Sequence, residues 1–221
     1  MKQLLMMIIL GLGLTGATSD FEESRGGSKF FNRDVGFAIT KLPDWHFLSL
    51  DNAETWMTTS KDTEEEKIEL KKYLQSLREQ EKVTGMAPLF IAKFEEPYPH
   101  LNPMIKVTLH YIDDLPKNVS PLAIAAVMAQ NYSENNEGFK MLDRVQLTRL
   151  SNFDAGYLRF SIDGILASGE YESAINQVYL IPRGKYVFEI TIATPPECDA
   201  ATEADLEEMM ESIFILKPLE I

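Results

Sequence analysis

The sequence predicts an α+β domain in which helices pack on a central antiparallel sheet. Two observations carry this. Strand-like segments at 141–150, 156–163, 169–181 and 186–194 follow one another with connections too short for the crossover helices of a parallel sheet. Three further segments, at 62–83, from Ser120-Pro121 onward and at 202–212, carry apolar residues at helical spacing.

Residues 1–19 stand apart from this pattern. Lys2, an apolar run over 4–14 and the small residues Ala17-Thr18-Ser19 read as a secretory signal peptide cleaved near Ser19. The run is too short to cross a bilayer, which takes about 20 apolar residues. The chain is therefore expected in the periplasm or secreted, without stable membrane insertion after cleavage. Residues 20–29, with Gly26-Gly27 and few apolar groups, read as a flexible spacer that cannot repay its ordering entropy. The remainder, 30–221, reads as one domain. At that size a domain can bury roughly 70% of its unfolded surface, and it must do so without cross-links because Cys198 is the only cysteine.

The segment 36–43 (GFAITKLP) reads as a first strand, with Phe37 and Ile39 on one face and a turn at Pro43-Asp44. Trp45, a core residue, and Phe47 lead into a second extended piece. In 62–83 the stripe Leu70, Tyr73, Leu74 and Leu77 marks an inserted amphipathic helix. Thr63 with Glu66 matches a capping box, and Glu64 to Glu66 precede Lys71, Lys72 and Arg78 in the order that suits the helix dipole. Segments 88–94 and 104–112 read as two strands joined by a proline-rich bend. Ser120-Pro121 opens the next helix as N-cap and first residue, with Leu122, Ala125, Met128 and Tyr132 on its apolar side.

Residues 186–194 alternate most clearly. Tyr186, Phe188, Ile190 and Ile192 fall on one face, and Val187, Glu189 and Thr191 on the other, the signature of a half-buried strand. The turn Pro182-Arg183-Gly184-Lys185 makes it the second arm of an antiparallel hairpin. The helix at 202–212 buries Leu206, Met209, Met210 and Ile213, and 214–216 can close as a short strand.

The opening Gly36-Phe37-Ala38-Ile39 followed by Leu42-Pro43-Asp44-Trp45 resembles the start of Mog/PsbP-like domains, and Ser212-Ile213-Phe214 after the last helix is similar to that family's end. The resemblance covers most of 30–216; the helix inserted near 62–83 departs from the compact version. It implies an α/β/α sandwich, in proteins that mostly bind or stabilise partners, many of them bacterial envelope proteins.

Thirty-four acidic residues against 21 basic ones give a net charge of −13, which disfavours nucleic acid and anionic membrane surfaces as partners. None of His46, His100 and His110 has a second histidine three to five residues away, so no local zinc spacing occurs. His110 falls on the more polar face of its strand, with Lys106 and Thr108. A nucleophile elbow, an S-x-x-K motif and nucleotide-binding glycines are missing, and Glu197 and Asp199 beside Cys198 discourage a reactive thiolate. No cofactor and no metal is expected. The reading is a non-enzymatic binding or accessory protein of the envelope, with a protein partner. An envelope hydrolase with an acidic cleft and a divalent-cation binder are the alternatives. The bend 95–100 is the candidate partner site: Glu95, Glu96, Tyr98 and His100 set two carboxylates and two rings among prolines, on a connection held by strands.

Overall fold

A computed structural model describes residues 29–48, 50, 64–95, 98, 100–136, 138–165 and 171–216. The segments read as a signal peptide (1–19) and, but for Lys29, as a spacer (20–29), together with the expected Thr63 cap, lie outside the described residues. Lys29, the last residue of the expected spacer, pairs with Thr40.

In chain order the elements are β1 (Lys29–Asn32), β2 (Phe37–Thr40), β3 (His46–Leu48), α1 (Glu64–Thr84), β4 (Leu89–Ala92), β5 (Met104–Tyr111) and α2 (Pro121–Asn135). They continue with β6 (Lys140–Met141), β7 (Gln146–Leu150), β8 (Phe153–Ile165), β9 (Tyr171–Arg183), β10 (Tyr186–Thr194), α3 (Ala200–Glu211) and β11 (Phe214–Ile215). An eight-stranded sheet runs β3-β4-β5-β10-β9-β8-β6, with β7 also on β8, and a three-stranded sheet runs β1-β2-β11. Every pairing is antiparallel, as the short late connections require.

The large sheet is covered on both faces. On one, Phe188, Ile190 and Ile192 of β10 stand opposite Leu109, Val107 and Ile105 of β5. They share a core with Phe37 and Ile39 of β2, Trp45, and Leu206, Met209 and Met210 of α3. On the other, α2 lays Ala125, Ala129 and Tyr132 over Leu158, Phe160, Val178, Leu180 and Val187. Beside it α1 lays Leu70, Leu74 and Leu77 over Phe90.

The residues that carry the family resemblance meet in space. Gly36 has φ +66°, and a Cβ there would sit 2.7 Å from Leu216 Cβ, so the turn before β2 takes glycine. Leu216 N donates to Gly36 O at 2.7 Å, Phe37 pairs with Ile215, and Thr40 N donates to Ser212 Oγ at 2.9 Å. The Trp45 indole donates to Asp205 of α3 at 3.0 Å. Both ends of the domain thus form one closure.

Several expectations need correction. The segment 141–150 is two strands, β6 and β7, broken at 142–145. Pro182 and Arg183 belong to β9, and the hairpin turn is Gly184-Lys185; Pro182 lies past the last β8 pairing, where its missing N–H deprives no neighbour. Ser120 sits at the N-cap, yet its hydroxyl makes no cap bond. Leu122 is exposed, so the buried stripe of α2 is Ala125, Ala129 and Tyr132. The strand β10 is buried on both faces, since Val187 and Glu189 are as enclosed as Phe188.

Helix α2 approaches the sheet at Gly156 of β8, where a Cβ would lie 2.1 Å from Pro121 O and 2.7 Å from Ala125 Cβ. The backbone on one side cannot yield. Gly156→Ala is expected to lift the start of α2 and to cost about 1–3 kcal/mol, read as a lower urea midpoint at unchanged slope.

Candidate functional site

The bend between β4 and β5 is closed at its neck by one side chain. Asn102 Oδ1 accepts from Phe94 N at 3.1 Å, and its Nδ2 donates to Phe94 O at 2.9 Å, so a buried amide continues the strand pairing that Lys93 N makes with Pro103 O. Leu101 N donates to Glu172 Oε2 of β9 at 3.1 Å, tying the far side of the bend to the sheet. On this frame the Tyr98 ring stacks on Phe94 at 4.3 Å and 15°, and His100 meets Tyr98 edge-on at 5.9 Å. Phe94 is 39% exposed, unusual for so large an apolar ring.

Of the residues proposed from sequence, Tyr98 and His100 come together. Glu95 points away to solvent, 3.8 Å from His46 Nδ1. Glu96 lies outside the described residues. Sequence reasoning missed Phe94, which reads there as the end of a strand, and Asn102.

Next to the bend, Lys93 Nζ pairs with Asp205 of α3 at 2.5 Å and lies 5.3 Å from the centre of the Trp45 ring. Hydrogen bonds from Lys93 and then Trp45 hold the Asp205 carboxyl below its usual range. The N-terminus of α3 is capped by Asp199, which accepts from Ala201 N and Thr202 N. Burial, then Asp199 and Glu203, push the Cys198 thiol up, against the thiolate form in which cysteine reacts.

The second polar constellation is buried where α1 and α2 meet the sheet. Glu189 of β10 is only 2% exposed. Its Oε2 lies 2.9 Å from His110 Nε2 on β5, and its Oε1 accepts from Tyr132 Oη of α2 at 3.2 Å and from Thr191 Oγ1 at 3.4 Å. The other imidazole nitrogen, Nδ1, faces Gln80 Nε2 of α1 at 3.1 Å. Lys106 Nζ donates to Tyr73 Oη of α1 at 3.2 Å. Burial alone would raise the Glu189 carboxyl, but the hydrogen bond and charge of His110, then Lys106 and Tyr132, hold it down at about 2. Burial and the same carboxylate push the Tyr132 phenol well up. Lys106, which burial would lower, is raised by Tyr73 and Glu189.

An imidazole on a carboxylate is the acid–base half of many hydrolytic sites, where the second nitrogen addresses a nucleophile. In this chain that nitrogen meets an amide. Gln80 Oε1 and Thr108 Oγ1 are buried without a hydrogen-bond partner. The cluster holds helices to a sheet. Among the described residues no group of three or more His, Cys, Asp or Glu could hold a metal ion, and no helix is long and apolar enough to cross a membrane.

No family model matches the chain, and no curated protein matches it. Solved structures do. The LpqN protein of Mycobacterium tuberculosis, described as involved in cell envelope biogenesis, matches with 14% identity and TM-score 0.50 over 86% of this chain and 90% of its own. The cyanobacterial PsbP of Synechocystis sp. PCC 6803 matches with 8% identity and TM-score 0.47 over 90% and 98%. The Ran-binding Mog1p of Saccharomyces cerevisiae matches with 11% identity and TM-score 0.42 over 85% and 94%. A matching Bacteroides thetaiotaomicron structure is longer, and the chain spans about half of it (48%). At these identities the likeness is one of fold, and the Mog/PsbP-like architecture named from the sequence is among the matches.

The Glu189 carboxyl ionises more readily folded than unfolded. It therefore stabilises the native state fully above its ordinary pKa of 4.5, and that contribution is lost as pH falls from 4.5 towards about 2, a loss on the order of 3 kcal/mol. Urea midpoints measured across this window should drop steeply for the wild type. The Glu189→Gln variant, which removes the carboxylate that His110 and Tyr132 bond, should be weaker at pH 7 by about 3 kcal/mol and show a flatter acid limb.

Proposed function

We propose that this chain is a non-enzymatic binding or accessory module of the cell envelope, exported by its leader, and that it meets a protein partner at the bend between β4 and β5. The observation that carries the reading is the exposed, pre-stacked Phe94–Tyr98 pair on a neck closed by Asn102. Aromatic rings are favoured anchors at protein interfaces. Rings already ordered before contact lose less side-chain freedom on binding. A connection pinned to β9 through Glu172 keeps them in place.

Two further observations support the reading. The one imidazole–carboxylate pair among the described buried residues is sealed and addresses an amide, which supports looking for recognition at the surface. The envelope setting rests on the layout of residues 1–19 and is the setting given for LpqN, which shares the fold.

Immobilised protein with Phe94→Ser and Tyr98→Ala should retain at least about tenfold less of its envelope partner than wild type, the loss of one anchoring contact of about 1.4 kcal/mol or more. Unchanged circular dichroism would show the fold intact, and equal retention would remove the bend from the reading. Export has its own test. Amino-terminal sequencing of protein from the periplasmic or secreted fraction should begin near Asp20, and an intact Met1 on protein kept in the cytosol would overturn the envelope assignment.

A further inference from the structure

The far edge of the large sheet carries a groove of about 450 Å³ lined by Asp143, Arg144, Gln146, Tyr157, Arg159 and Gln177. Its origin is the break between β6 and β7. Both strands pair with the same side of β8, yet the register slips by two residues between Met141↔Phe160 and Gln146↔Tyr157. Leu142 N and Asp143 N both donate to Arg159 O, at 2.9 and 3.3 Å, so the surplus chain is a bulge that lifts Asp143 and Arg144 beside β8.

The groove is rich in donors. Tyr157 Oη donates to Gln177 Oε1 at 3.1 Å, which fixes the amide so that its NH₂ is left over. Arg159 is held by Asp143 through one nitrogen at 3.4 Å, which leaves most of its guanidinium fork unused. Arg144 is exposed, and no carboxylate lies within ion-pair distance of it among the described residues. Two arginines against one aspartate make a local excess of one positive charge in a chain of net charge −13.

We propose that this groove binds the carboxylate group of a small molecule, held by Arg144 and Arg159 over a floor of Tyr157 and Gln177. The guanidinium fork matches a planar carboxylate through two parallel hydrogen bonds. The single excess charge suits a monoanion; a phosphate dianion would sit half-compensated next to Asp143 in a negative field.

The test follows arginine Nε–Hε resonances of the full chain during titration with sodium acetate, at ionic strength held constant with sodium chloride. Saturable shifts at Arg144 and Arg159 are expected, weakened by about tenfold in Arg144→Gln and in Arg159→Gln. Because Arg144 is exposed, its variant keeps the fold and remains a valid probe. Shifts that match chloride alone, or that persist undiminished in both variants, overturn the proposal. Saturation by inorganic phosphate without saturation by acetate overturns it as well.

Discussion

A carboxylate in the middle of the central strand is the constraint on which one half of this molecule is arranged. Removing a charge from water costs several kcal/mol unless partners replace the solvent, and Glu189 has neighbouring strands on both sides of it. Its partners come from three elements: His110 of β5, Tyr132 of α2 and, through the imidazole, Gln80 of α1. Lys106 adds a second link, to Tyr73 of α1. Apolar packing tolerates small slides of a helix along a sheet, because one methyl is much like another. A carboxylate with two oxygens does not. The leucine stripe of α1 and the alanines of α2 supply burial, and the polar cluster between them sets where each helix stops.

The opposite face solves a different problem with different means. There the sheet is apolar, and what must be fixed is the return of the chain end to its beginning. Backbone groups do most of this: Phe37 and Ala38 pair with β11, and Ser212 caps Thr40. Gly36 is needed because Leu216 passes where a side chain would be. Trp45 then ties the closure to α3 through Asp205, which also takes Lys93 at the foot of the bend. The terminal closure and the candidate partner site therefore share a carboxylate, so the orientation of α3 bears on how the bend is held.

Much of this was legible in the sequence, and the parts that were not share a cause. The helices, the hairpin ending in β10 and the buried Trp45 follow from periodicity and turn residues, which are local. The two faces of β10 were also separable by alternation. Alternation cannot say whether a polar face is dry, however. Lys106, Thr108 and His110 on β5 with Glu189 and Thr191 on β10 read like a solvated stripe, and only the helices, whose bonds to it span 30 to 57 residues of sequence, make it a buried one. The bend shows the same division. Its prolines and rings were visible, while its neck depends on Asn102 reaching back eight residues to Phe94 and on Glu172 reaching 71 residues to Leu101. The break between β6 and β7 was hidden for a similar reason, since a bulge is defined by the partner strand's register and not by its own residues.

The sheet order decides how the two surface sites relate. The bend follows β4 and precedes β5, whereas the arginine groove lies on β8 and its outer edge, so β10 separates them in the sheet, while β9 gives a residue to each, Glu172 at the bend and Gln177 in the groove. The two are framed by different devices on that shared sheet: a strand-like amide at the bend, a bulge at the groove. Neither draws on the Glu189 cluster for its surface groups. A long antiparallel sheet covered on both faces along its middle strands resists bending, because any shear would break paired strands and the polar contacts that pin α1 and α2 over them. The construction would let one sheet hold both proposed surfaces at a fixed separation.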